Sequence, residues 1–281
     1  MTRQRPLSAT LHRGDLVSKL ARSAVVAVTV AGAALALSVP AAAGHPQRTK
    51  PTIVLVHGAW ADASGWDKVT SRLQHDGYTV LAAPDPLRGL SGDAAYLAAF
   101  LQQRTAGPVV LVGHSYGGAV ISNAALSDPD VVALVYVNAF VPDQGESVLS
   151  LQTGGDPNAL FDVVQYPGAP AGDADLYIKT AVYPQVFAAD LPAATAAKMA
   201  AAQRPVTLSA LLEPSGPVAW KALPSWYVLG TADNILPPTL QQQMADRAQS
   251  KVTKVEAAHL SMVSKPDVVT TVIESAARAT S

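Results

Sequence analysis

Apolar residues gather along this chain in short dense runs, separated by longer stretches of mixed polarity. Thr52-Ile-Val-Leu-Val56 is the first run, continuous and β-branched, the pattern of a strand buried on both faces. Four more such runs recur at 80–83, 109–112, 131–137 and 226–229. Lys251-Val-Thr-Lys-Val255 alternates instead, as an edge strand does. Stretches of helical character lie between them, near 64–76, 91–105, 116–127, 238–249 and 265–278. Strands alternating with helices predict an α/β fold with right-handed crossovers, a mostly parallel sheet and helices on both faces.

One region breaks the rhythm. From 142 to 224 the chain is rich in Pro, Gly and Ala and holds no buried-strand run. Short apolar helical pieces are expected instead, around 158–164, 174–181, 184–189, 192–203 and 205–212. An insertion of this size between two sheet strands reads as a helical cap over the strand ends, within one domain spanning 52–281. Residues 44–51 are polar and Pro-flanked, as a tether is. No internal repeat at a solenoid period is visible.

The N-terminus has its own composition. Residues 1–43 hold Arg3, Arg5, Arg13, Lys19 and Arg22 against Asp15 alone, so the rest of the chain carries a net −5 although the total is −1. A basic stretch ending at Arg22 precedes an apolar run from Ala24 to Val39, then Pro40 and Ala41-Ala42-Ala43. That is the layout of a secretory signal with a small-residue cleavage site. The run is shorter than the ~20 residues a spanning helix needs. Cleavage near Ala43, export by the general secretory route and no stable membrane insertion of the mature protein are the expectations.

Bulk composition then excludes several classes. With 49% hydrophobic and 15% charged residues the chain is not disordered. It has no cysteine, which removes disulfides, thiolate zinc sites and a cysteine nucleophile. Its Lys and Arg residues are scattered, with no footprint for nucleic acid. The few histidines lack helix spacing to Asp or Glu ligands, so no metal is expected.

The strongest chemical signal is Gly113-His114-Ser115-Tyr116-Gly117-Gly118, directly after the run 109–112 and opening the helix 116–127. A sharp strand-to-helix turn presents its central serine at the carboxyl edge of the sheet, beside a helix N-terminus that favours developing negative charge. A serine hydroxyl needs a base. Of six histidines, His259 lies in the loop after the last strand, on the same sheet edge as Ser115. The base needs a carboxylate in turn, and Asp233 follows the strand 226–229, giving the chain order Ser115, Asp233, His259. Asp143, just after the strand 131–137, is the rival acid. A second turn, His57-Gly58-Ala59-Trp60, follows the first strand. There Gly58 permits close approach, so the Ala59 amide, with that of Tyr116, would form a two-donor oxyanion hole. His57 reads as a structural residue bonded within its turn. Trp60 either packs in the core or walls a pocket, and Phe140 and Leu260 are further candidates for substrate contact.

With these residues in this order, the chain from about Pro51 to Ala277 resembles an α/β-hydrolase. The likeness is to the branch with a His-Gly-Ala-Trp turn that includes small carboxylesterases, plant methyl-ester esterases and hydroxynitrile lyases. The resemblance implies Ser115 as nucleophile, His259 as base, Asp233 as acid, Ala59 and Tyr116 as oxyanion donors, and no cofactor. Two departures separate this chain from the lyases, which carry Lys after the histidine and Thr at the turn glycine. Here those positions are Leu260 and Gly58. Hydrolysis of a small or medium carboxylic ester is the expectation. The alternatives are a ligand-binding protein of the same fold without turnover, and a lyase or acyltransferase at the same site.

Overall fold

The structure is a computed structural model and describes residues 50–152 and 157–280. The expected leader, its cleavage point near Ala43 and all but the end of the linker 44–51 lie outside the described residues. Nine strands occur among those described. They are β1 (Thr52–Val56), β2 (Val80–Ala83), β3 (Val109–His114), β4 (Val131–Val137), β5 (Phe161–Val164), β6 (Asp175–Ile178), β7 (Val206–Thr207), β8 (Ser225–Gly230) and β9 (Lys251–Val255). Six of them form one sheet in the order β2-β1-β3-β4-β8-β9, and every neighbouring pair is parallel.

The order reverses at β1. The chain steps outward to β2, returns across β1 to β3, and then runs steadily to β9 at the far edge. Right-handed crossovers and this reversal put the connecting helices on both faces. The helix Asp67–His75 packs on Pro266–Thr280, which lies over β3, β4 and β8, while Leu90–Arg104 packs on Tyr116–Ala124. The pairing of Val56 with Gly113 sets the carboxyl ends of β1 and β3 side by side. A reversal of strand order opens a crevice at those ends, where sheets of this kind bind ligands.

The five expected helices are present as Asp67–His75 with a preceding 3-10 turn, Leu90–Arg104, Tyr116–Ala124, Pro238–Arg247 and Pro266–Thr280. β9 is the alternating edge strand that its pattern predicts. β2 differs from expectation. Its apolar run suggested burial on both faces, yet it is the other edge, with Ala82 exposed and Val80 and Leu81 half-buried. A four-residue run of small and apolar side chains reads alike at an edge and in a centre, because small residues are tolerated on a half-covered face.

The segment between β4 and β8 corrects the expectation of helices alone. The pieces expected at 158–164 and 174–181 are largely β5 and β6, and 205–212 opens with β7 before the short helix Leu208–Leu212. These strands form an antiparallel sheet in the order β5-β6-β7, pairing Phe161 with Ile178 and Asp175 with Thr207. Strands of four residues or fewer hold two turns of alternation at most, and partners this distant leave no local period to read. The helices Tyr183–Val186 and Ala193–Ala202 lie close to the expected 184–189 and 192–203.

The helix Tyr116–Ala124 lies so close to the end of β4 that a Cβ on Gly118 would come within 2.4 Å of the Phe140 carbonyl oxygen and 2.7 Å of Ala139 Cβ. Gly118→Ala should therefore lower stability by about 1–3 kcal/mol through forced separation of helix and strand. Urea unfolding measures this, and an unchanged midpoint would mean that the contact relaxes freely.

Candidate active site

Ser115 sits between β3 and the helix Tyr116–Ala124 with φ 53° and ψ −124°, a backbone conformation that side-chain-bearing residues avoid. The turn is held from several sides. The Ser115 amide donates to Val137 O, and its carbonyl accepts from the amides of Gly118 and Phe140. Phe140 thus serves the turn through its backbone, while its ring is buried in the core. The His57 turn presses against the same point. A Cβ on Gly58 would fall 2.6 Å from Ser115 Cβ and 3.2 Å from the Tyr116 amide nitrogen, so only glycine allows this approach.

His259 Nε2 lies 2.9 Å from Ser115 Oγ, and His259 Nδ1 lies 2.7 Å from Asp233 Oδ2. A carboxylate accepts only, so Nδ1 carries the proton and Nε2 is left to accept from the serine hydroxyl. The three residues are 1%, 0% and 4% exposed in the order Ser115, His259, Asp233. Asp233 receives further donors that sequence reading did not identify. Asn138 Nδ2 and Gln241 Nε2 donate to Oδ2 at 2.9 and 3.0 Å, and the amides of Ile235 and Leu236 donate to Oδ1 at 2.9 and 2.8 Å.

Asn138 holds the base loop as well. Its Nδ2 also reaches Ala258 O, and its Oδ1 accepts from Ser261 Oγ, so it grips both flanks of His259. Its φ of 45° is one that asparagine tolerates better than most residues. The available signal was a lone polar residue ending the apolar run 131–137. The rival acid lies elsewhere: Asp143 pairs with Lys221 at 2.5 Å, which holds its carboxyl below the ordinary value.

The amides of Ala59 and Tyr116 make no hydrogen bond within the described protein. Groups around them are pinned. His57 Nδ1 donates to Gly58 O, and its Nε2 accepts from the Asp85 amide, with burial holding the imidazole below its usual pKa. The Tyr116 hydroxyl donates to Asp93 Oδ2 at 2.8 Å, and Asp93 also accepts from the amides of Arg88 and Gly89. Residues 85–93 thereby brace both turns. His114 Nε2 donates to the His259 carbonyl at 3.0 Å, and burial, then the neighbouring His259, hold its pKa well below the ordinary value.

Rings from the capping segment cover the site. Phe187 lies 4.8 Å from the His259 ring, and Trp60 meets Phe187 edge-on at 6.1 Å and stacks on Phe161 at 5.2 Å. Leu260 is fully buried in the core beside His259. Among the described residues no group of three or more His, Cys, Asp or Glu side chains is arranged to hold a metal ion, and no helix is long and apolar enough to cross a membrane.

The sequence and fold match an established group. A sequence profile described as the alpha/beta hydrolase family matches residues 53–272, and the chain belongs to that family. It is 27% identical over 248 residues to an alpha/beta hydrolase of Aspergillus novofumigatus, covering 81% of this chain and 97% of that protein. It is 28% identical over 242 residues to a pyrethroid hydrolase of Sphingobium wenxiniae, covering 78% and 85%. A crystal structure of a pyrethroid hydrolase superimposes with a TM-score of 0.66 at 25% identity, over 83% of this chain and 99% of that one.

Asp85 yields a test of how tightly residues 85–93 are packed. Its Oδ2 is buried without a partner, and burial, then the nearby Asp93, raise its pKa well above the ordinary carboxylate value. The unfolded chain releases this proton above about pH 3.9 while the folded chain retains it, so Asp85 subtracts stability as pH rises toward its folded-state pKa. Asp85→Asn should therefore gain on the unaltered protein as pH rises above about 4, until Asp85 ionises in the folded chain, in urea unfolding. A difference that does not grow as pH rises above 4 would contradict the raised pKa.

Proposed function

We propose that the protein is a serine hydrolase that cleaves a carboxylic ester through an acyl-enzyme on Ser115. The observation that carries this reading is the unbroken run of hydrogen bonds from Ser115 Oγ through His259 to Asp233, at 2.9 and 2.7 Å. Relatives named as hydrolases support it further.

In the first half-reaction Ser115 Oγ adds to the ester carbonyl carbon as its proton passes to His259 Nε2. The carbonyl oxygen becomes an oxyanion, held by the amides of Ala59 and Tyr116. Asp233 accepts from Nδ1 and stabilises the imidazolium without taking its proton. The imidazolium then protonates the departing alkoxide, the ester bond breaks and the acyl group stays on Ser115. Water repeats the sequence: His259 takes its proton, the oxygen attacks, and Oγ leaves with the proton returned. Leu260 brings no charge beside the base, which favours ester cleavage over cyanohydrin cleavage, where a cation would assist the departing cyanide.

Ser115→Ala should abolish fluorophosphonate labelling and lower turnover of aryl esters by about 10⁴–10⁶, the range of triad losses in other hydrolases. Asp233→Asn should be severe and Asp143→Asn mild, on the same substrates. Labelling that persists in folded Ser115→Ala, or Ser115-dependent cleavage of mandelonitrile faster than of esters, would overturn the assignment.

We also propose that residues 1–43 direct export and are removed near Ala43, a reading that rests on the composition of the leader. Secreted material should begin at Gly44 on N-terminal sequencing. A retained Met1 on membrane-bound material would refute it.

A further inference from the structure

One stretch of the cap touches a chain neighbour of Ala59, Ser115, Asp233 and His259 in turn. It runs from the short helix Tyr183–Val186 to Asp190. The Tyr183 hydroxyl donates at 3.1 Å to the carbonyl of Trp60, which follows Ala59. The Gln185 carbonyl accepts at 3.0 Å from Nδ2 of Asn234, which follows Asp233. The buried Phe187 ring meets edge-on, at 6.4 Å, that of His114, which precedes Ser115, and lies 4.8 Å from the His259 ring itself. Asp190 Oδ2 accepts at 3.0 Å from the amide of Ala258, which precedes His259. A cap that only enclosed a substrate would have no need to bond beside each reacting residue.

The base loop relies on these bonds most directly. Asn138 and His114, both from the sheet edge, donate to the carbonyls of Ala258 and His259. Among the described residues, the Ala258 amide donates to Asp190 and to no other group. Ala258 is 1% exposed, so without that carboxylate its amide is left unpaired unless the loop shifts or admits water. Asp190 itself is exposed, and truncating it removes the bond without opening a cavity in the core.

We propose that Asp190 is a positioning residue for the base. It holds the Ala258 amide, and through it His259, at the spacing from Ser115 that proton transfer needs. Seating of the segment 183–190 and alignment of His259 are then one event. The proposal rests on the hydrolase reading above and gives the cap a part in the chemistry. A misplacement of about 1 Å in such a spacing costs on the order of 10²-fold in rate. The amide needs an acceptor oxygen and not a charge, so asparagine can serve in place of Asp190.

The steady-state constants for an aryl acetate and the labelling rate of a small fluorophosphonate test this on the full chain. Asp190→Ala should lower kcat and the labelling rate by about tenfold while KM stays within about twofold, the pattern of a loss felt in the transition state. Asp190→Asn should keep at least about half of both rates, because its side-chain oxygen still accepts. Arg247→Met breaks the ion pair with Glu146, another bridge between cap and sheet domain, and should leave both rates within about twofold. Hydrogen exchange of the amides at 257–260 should quicken in Asp190→Ala and not in Arg247→Met. No labelling of the unaltered chain overturns the hydrolase reading and this proposal with it. Normal labelling with unchanged rates in Asp190→Ala, or a change confined to KM, overturns the positioning role alone. An equal loss in Arg247→Met overturns it too, by assigning the effect to docking of the cap in general, and so does an Asp190→Asn variant as slow as Asp190→Ala.

Discussion

The buried carboxylate of Asp233 ties together several separated parts of this molecule. It accepts five hydrogen bonds, from Asn138 at the end of β4, from Ile235 and Leu236 in its own turn, from Gln241 on the helix Pro238–Arg247, and from His259 after β9. A charge taken out of water is tolerated only when donors replace the lost hydration. These five donors come from separated parts of the chain, so satisfying the carboxylate fixes the relative positions of three strand ends and one helix. The imidazole of His259 then has one orientation open to it, with Nε2 toward Ser115.

The serine side of the site is set by close contact rather than by charge. The backbone of Ser115 is strained, and that strain is sustained by bonds to Val137, Gly118 and Phe140 and by the His57 turn pressed against it. The reversal of strand order at β1 is what makes the two turns meet, since it brings the ends of β1 and β3 together with helices leaving on opposite faces. One sheet edge therefore carries both turns, and the buried Asp85 and Asp93 hold them from outside through His57 and Tyr116.

The capping segment has the opposite character. It meets the sheet domain through scattered directional bonds, such as Ala258 to Asp190 and the Trp60 indole to Leu176, through the ion pairs Arg88–Asp175 and Arg247–Glu146, and through aromatic faces around Phe187. Its own sheet is three short strands with exposed Val163 and Val164 at the outer edge. Apolar faces adapt to a ligand at low penalty, while a buried charge network does not. The molecule thus sets a sheet edge organised around one buried carboxylate under a cover held by scattered bonds and apolar contacts.

The main sheet could be read from the residues because parallel, doubly covered strands are continuous apolar runs, and the elbow at Ser115 could be read because its glycines answer a local steric demand. The same holds for Asp233 and His259 as candidates, each in a loop that the order of strands sends to one edge. Loop placement and chain order put Asp233 ahead of Asp143, and the tertiary structure added the contacts themselves, Asp233 on the imidazole and Asp143 on Lys221. It alone revealed Asn138 and Gln241, ordinary polar residues until a carboxylate more than 90 positions from one and eight from the other is folded against them. The three strands of the cap were also beyond sequence reading, because they are too short for a period and are paired with distant partners. Local sterics and burial patterns are written in neighbouring residues, whereas donors for a buried charge and partners for an edge strand are recruited from anywhere in the chain.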